Sequence, residues 1–192
     1  ALALEEIARG SMSLAGAAAM QSLMGTKFLQ LLGNADIVER LLVPALRGDS
    51  IGAVCMTEPN AGSDLDGIAT SARKVDGGYV LDGQKTWVTS APVADFFTVF
   101  ARTGSTLSTF VVEAKSPGVR VGRPIGKLGV RASATSEVFF EGVRVPKAQR
   151  VGEEGQGADF LAEILPQIRI VTGALALGVA RAAFEEIGRA HV

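Results

Sequence analysis

The chain has 192 residues, 47% of them hydrophobic and 20% charged, the composition of a soluble globular protein able to bury a real core. Its 19 basic and 20 acidic residues give a formal net charge of -1 without any basic run or stripe, so neither nucleic acid nor an anionic membrane is an expected partner. The single cysteine, Cys55, cannot close an internal disulfide, which fits a reducing compartment.

Residues 1–47 are rich in Ala, Leu, Met and Glu and repeat apolar residues at helical spacing, as at Leu29, Leu32, Ile37, Leu41, Leu42 and Leu46. They predict two or three packed helices, with Asn34 capping one and Gly48 ending it. The most apolar stretches, Met12 to Leu32 and Ile170 to Phe184, are each interrupted by polar residues and fall short of the roughly 20 apolar residues of a membrane span. The start carries no targeting segment. Both ends fall inside helical patterns, so the chain reads as a piece of a larger protein.

From Ser50 the texture changes to short β-type runs between Gly, Pro and Asp: "IGAVCMT", "ATSARKV", "YVLDGQKTWVTS", "FFTVFART", "STFVVEA", "GVRVG" and "SEVFFEGVRVP". With no long helix between them they predict an antiparallel barrel or sandwich. After "VGEEGQG" the pattern is helical again, with Leu161, Ile164, Leu165, Ile168, Val171, Leu175, Val179, Ala183 and Ile187 on one face. Pro166 is expected to kink or delay that helix.

The loop "CMTEPNAGSDLDG" leaves an apolar strand and is polar throughout. Thr57 and Thr89 both end runs expected to be buried, and Trp87, two residues before Thr89, shares its strand face. Together they could ring a flat polar cofactor, the indole packing on a planar system and the hydroxyls meeting its edge. Taken singly, the threonines are ordinary strand formers, Trp87 is a core residue, and Ser63 and Asp64 are turn formers. There is no G-x-G-x-x-G, no phosphate-binding P-loop, and with only His191 and Cys55 no metal cluster or Ser-His-Asp triad. Cofactor chemistry remains.

Four motifs in order, "MTEPNAGSDLDG", "DGQKTWVTS", "STFVVEAKSPGVRVG" and "KLGVRASATSEVFFEGVRVP", resemble the acyl-CoA dehydrogenases, flavoproteins that desaturate acyl thioesters. The resemblance covers nearly the whole chain. It implies an α+β multidomain fold: the end of a helical N-terminal domain at 1–48, a middle antiparallel β-barrel that binds flavin at 49–156, and the first helix of a C-terminal four-helix bundle at 157–192. It implies FAD held by Val54, Cys55, Met56, Thr57, Gly62, Ser63, Trp87, Val88 and Thr89. Thr57 would face the pyrimidine side, Thr89 the hydride-accepting nitrogen and Trp87 the dimethylbenzene side. Ser63, Pro166, Gln167, Ile168 and Arg169 would contact the acyl-CoA.

The implied reaction removes the α-proton with a carboxylate and passes the β-hydrogen to flavin as hydride, in a dry pocket that raises the base's pKa. In most of the family the base is a glutamate whose place falls beyond Val192. A minority carry it at the position of Ile168, which cannot take a proton, and Glu163 is expected to be a solvated helix residue. The chain therefore contains no catalytic residue of its own, and it lacks the family's Arg-Gln-Phe-Gly segment. Asn60 stands for a frequent glycine, Val54 for a frequent aromatic, and "TSAP" for a common Thr-Asn-Gly. The implied partners are an electron-transferring flavoprotein and further copies of the chain, as a homotetramer or homodimer, with a bacterial cytoplasm as the expected setting. The alternatives are an acyl-CoA oxidase or flavin monooxygenase of the same fold, and a non-catalytic flavin-binding subunit.

Overall fold

The computed structural model describes residues 1–189, so His191 lies outside the described residues. The first helical stretch comprises α1 (Leu2–Gly10), α2 (Met12–Ala19), a π-helical segment Met20–Gly25, α3 (Lys27–Leu32), α4 (Ala35–Ile37), a π-helical turn Val38–Leu42 and α5 (Val43–Arg47). Its breaks follow local chemistry. The Ser11 hydroxyl caps α2 by accepting from the Leu14 amide, and the Asn34 side chain caps α4 by accepting from the Ile37 amide at 3.0 Å. Gly48 ends α5 in the left-handed conformation, φ +86°, as its sequence position predicts.

Eight strands follow: β1 (Gly52–Cys55), β2 (Ser71–Val75), β3 (Gly78–Thr89), β4 (Phe96–Thr103), β5 (Thr106–Glu113), β6 (Val119–Val121), β7 (Thr135–Pro146) and β8 (Arg150–Val151). Every run read from the sequence is a strand, and β8 is the addition, too short to leave a pattern. The strands form one sheet in the order β6-β7-β3-β2-β4-β5-β8, with β1 beside β4.

The expected antiparallel barrel needs correcting on both counts. The sheet is open, with no pairing of β6 to β8 among the described residues, and it is mixed. β1 runs parallel to β4, Gly52 opposite Phe96, and β2 meets β4 in parallel at Ser71 and Arg102. Alternating apolar residues establish that a strand exists but not which neighbour it takes. The long connection from Met56 to Thr70 and the β3 hairpin arm let the chain return in the same direction, which a tight turn cannot do.

β4 is buried along nearly its whole length because both of its faces are covered. Phe97, Val99 and Ala101 join Leu81, Phe110, Val138 and Phe140 in one cluster. On the other side Phe96 packs with Leu29, Ile37 and Leu41, and Phe100 with Phe28, Ile68, Phe160 and Ile164. The last helix, α6 (Gly157–Arg189), runs 33 residues with Pro166 inside it, so the proline neither delays nor interrupts it. By length and composition α6 could cross a membrane, but Phe160, Leu161, Ile164, Leu175 and Gly178 are buried against the rest of the fold. Of the face read from the sequence, Val179, Ala183 and Ile187 are exposed.

Candidate cofactor site

A pocket of about 90 Å³ lies where the end of β1, the end of β3 and the π-helical segment meet. Its walls include Val54, Met56, Thr57, Trp87 and Thr89, five of the residues singled out from the sequence, joined by Met20, Met24, Gly52, Ala53 and Thr86. Two devices bring them together.

The first is a close approach of backbones. A Cβ on Gly52 would lie 2.5 Å from the Gly25 carbonyl oxygen and 2.6 Å from the Phe96 ring, so glycine alone lets β1 sit under the π-helical segment. Gln21 locks the contact: its amide nitrogen donates to the carbonyls of Ala45 (3.1 Å) and Ser50 (3.0 Å), and its oxygen accepts from the Gly52 amide at 3.2 Å. Met20 and Met24 are thereby held over β1 as an apolar ceiling.

The second is a bulge. β3 pairs with β7 at Lys85–Val138 and then at Val88–Ser136, so β3 carries one extra residue in between. Trp87 takes up the difference at φ +56°, unusual for a bulky side chain, and its indole is 59% exposed at the pocket. Alternation alone places Trp87 and Thr89 on one face; the bulge is what turns the ring outward.

Behind the pocket lies a group to which the sequence reading gave no role. Lys85 is fully buried and its ammonium donates to Glu58 Oε1 at 2.7 Å and to the Met56 carbonyl at 3.0 Å. The same carboxylate accepts from the amides of Thr70 (3.0 Å) and Ala69 (2.7 Å). Burial pushes the Glu58 carboxyl up, but the donors from Lys85, Thr70 and Ala69 outweigh it and hold the group below its ordinary value. With three donors on one carboxylate, the pair is ionic. The "TEP" glutamate and "QKTW" lysine were both in plain view; only a contact between distant segments reveals their partnership.

The remaining residues divide. Cys55 and Val88 point the other way into the core, where burial pushes the Cys55 thiol far above its ordinary range and leaves it inert. Gly62 and Ser63 are exposed in the loop outside this lining, though a Cβ at Gly62 would come within 3.9 Å of the Thr57 methyl. Ile168, like Val54 and Met56, packs against the cluster of Phe28, Phe100 and Ile164, whereas Pro166 and Arg169 are exposed and Gln167 is half-buried. Glu163 is exposed.

The donor set suits a flat ring with a polar edge. Among the described residues neither the Thr57 nor the Thr89 hydroxyl has a hydrogen-bond partner, and Trp87 offers an open aromatic face beside them. A larger cavity of about 620 Å³ along β2 and the β4–β5 turn lacks such convergence. Its Arg102 is spent on the carbonyls of Asp66, Ile68 and Ser105, and its Lys74 is paired with Glu154 at 3.0 Å. Among the described residues no cluster of His, Cys, Asp or Glu could hold a metal ion.

Residues 53–143 match the family model for the acyl-CoA dehydrogenase middle domain, which spans β1 through most of β7. Over 95% of its length the chain is 70% identical to the benzylmalonyl-CoA dehydrogenase of Aromatoleum aromaticum, of which it covers 49%. Among solved structures it resembles butyryl-CoA dehydrogenase from Megasphaera elsdenii (TM-score 0.91, 35% identical, 94% of this chain and 49% of that one). It also resembles a glutaryl-CoA dehydrogenase from Mycobacterium smegmatis solved with FADH2 (TM-score 0.87, 30% identical, 95% and 47%). The chain belongs to the acyl-CoA dehydrogenase family. It spans about half the length of the curated relatives that it matches.

Proposed function

We propose that this chain forms the flavin-holding wall of an FAD-dependent enzyme that desaturates an acyl-CoA between its α and β carbons. The observation that carries the reading is the pocket itself: Thr57 and Thr89, whose hydroxyls have no partner among the described residues, and Trp87 turned outward beside them by a bulge. When bound, FAD supplies the acceptor for the β-hydrogen and its electron pair. The threonine hydroxyls hydrogen-bond the ring's edge, the indole packs on its face, and Met20, Met24, Val54 and Met56 keep water out.

Proton abstraction needs a carboxylate facing a dry pocket. Glu58 is committed to Lys85 and Glu163 is exposed, and the family resemblance puts the base at a glutamate whose place falls beyond Val192. Ser63 and the 166–169 segment are proposed to meet the thioester arm. The 70% identical relative, named for benzylmalonyl-CoA, supports an aryl-substituted malonyl thioester as substrate. The family resemblance supports an electron-transferring flavoprotein as electron acceptor and a tetramer or dimer of identical chains, and the alanine- and glycine-rich composition suits a bacterial cytoplasm.

The test is anaerobic titration of the full-length protein with benzylmalonyl-CoA and with straight-chain acyl-CoAs. Bleaching of the visible flavin band, strongest with the aryl substrate, is expected. A protein that retains no flavin, or whose flavin no acyl-CoA reduces, overturns the reading.

A further inference from the structure

A buried ion pair is a costly way to hold a sheet together, since apolar residues of the same volume commonly do as well. The Lys85–Glu58 pair therefore calls for a reason in its position. The ammonium binds the Met56 carbonyl and the Glu58 carboxylate, the residues on either side of Thr57. The Thr57 carbonyl is itself taken by the Thr86 amide at 2.9 Å. The Met56 carbonyl, the Thr57 carbonyl and the Glu58 carboxylate are thus each tied to β3, and Thr57 lines the pocket.

Seen from the other wall, Lys85 is the last residue of β3 in register with β7 before the bulge that turns out Trp87. One side chain anchors the strand that presents Trp87 and Thr89 and, through its ammonium, the loop that presents Thr57. The carboxylate is also bolted to the chain just ahead of β2: Oε2 accepts from the Ala69 amide, and Oε1, shared with Lys85, accepts from the Thr70 amide. The loop turn is closed on itself by the mutual Glu58–Ala61 bonds at 2.8 and 3.2 Å.

We propose that Lys85 and Glu58 are positioning residues for the flavin ring: their buried ion pair sets the spacing between the Thr57 wall and the Trp87–Thr89 wall. This rests on the flavin reading above. Neither residue touches the ring. The pair acts through the three side chains that do, and it holds them before the cofactor arrives, which lowers the ordering cost of binding.

The experiment compares the full-length protein with Glu58→Gln, which keeps shape and removes charge, and with the double variant Lys85→Met/Glu58→Gln. Four quantities are read: the thermal midpoint of the apoprotein, the dissociation constant of FAD, the shape of the bound-flavin absorption band, and the flavin's reduction potential. Folded variants should bind FAD about tenfold more weakly or worse, the scale of one lost charge-assisted hydrogen bond, with a shifted band and potential. If the double variant does not fold, Glu58→Gln alone decides by the same readouts. A folded variant with unchanged FAD affinity, band and potential would show the pair to be structural only and overturn the proposal. Failure of the unmodified protein to hold FAD is read first, and brings down the function assignment instead.

Discussion

Thr89 closes β3 opposite Thr135, so its backbone is paired while its hydroxyl has no partner among the described residues. Under the proposed function that hydroxyl supports the reactive edge of the flavin. Thr89→Val keeps the shape and the strand preference, so FAD should stay bound while its reduction by acyl-CoA slows by about a hundredfold, the usual cost of one such donor. Stopped-flow traces with an unchanged rate would remove Thr89 from the mechanism. Glu58 lends itself to a test by pH. Its carboxyl is held below the ordinary value of 4.5 in the folded protein, so its contribution to stability is complete above that pH and is lost as pH falls through the lowered value. The thermal midpoint should therefore drop on acidification below 4.5, and Glu58→Gln should flatten part of that slope; parallel slopes in both proteins would count against the ion pair as a stabilising group.

Among the elements, the decisive contact is between the π-helical segment and β1. Helix and strand approach so closely at Gly25 and Gly52 that no side chain fits between them, and Gln21 bonds across the gap. Gly52→Ala should push β1 away from Gly25 and from Phe96, at about 1–3 kcal/mol of stability, the usual cost of overpacking. It should also widen the pocket beneath Met20 and Met24. Denaturant unfolding together with flavin retention checks both consequences, and a variant as stable as the parent would mean that the backbones can part freely.

The whole molecule is closed by its two helical ends. α1 lies along α6, with Arg181 ion-paired to Glu5 and Glu6, and Arg9 bonded to Glu185 at 2.6 Å. Gly178 is the point of contact: a Cβ there would meet the Glu5 carbonyl oxygen at 2.2 Å and the Ala8 methyl at 2.9 Å. The pairs made by Glu6 and Glu185 are solvent-exposed and contribute little each, whereas Glu5 is buried. The small-residue seam of Ala8, Ala15, Ala19 and Leu175 is the stronger term. Gly178→Ala should thus cost more than Arg181→Ala, by about 1 kcal/mol or more in thermal or denaturant unfolding. The reverse order would assign the docking to charge.

At all three scales, what could be read in advance was what near neighbours in the chain dictate. Asn34 and Gly48 announced the limits of a helix because capping and left-handed geometry depend on a few adjacent atoms. Every run from "IGAVC" to "SEVFFEGVRVP" became a strand because period-two alternation is local. Thr57, Trp87 and Thr89, grouped by strand position and by motif, line one pocket. The sequence did not reveal the parallel placement of β1 beside β4, the open sheet, the continuity of α6 through Pro166 or the ceiling of Met20 and Met24. Nor did it join Lys85 to Glu58 across 27 positions. Each of these depends on which distant segments share a surface, and hydrophobic pattern is blind to partner identity because burial is non-directional. The sequence by itself thus determined the elements and the chemical inventory of the site. Only the tertiary structure decided which way the indole faces and what holds it there, since a bulge, a glycine contact and a buried ion pair exist only once separate segments are packed together.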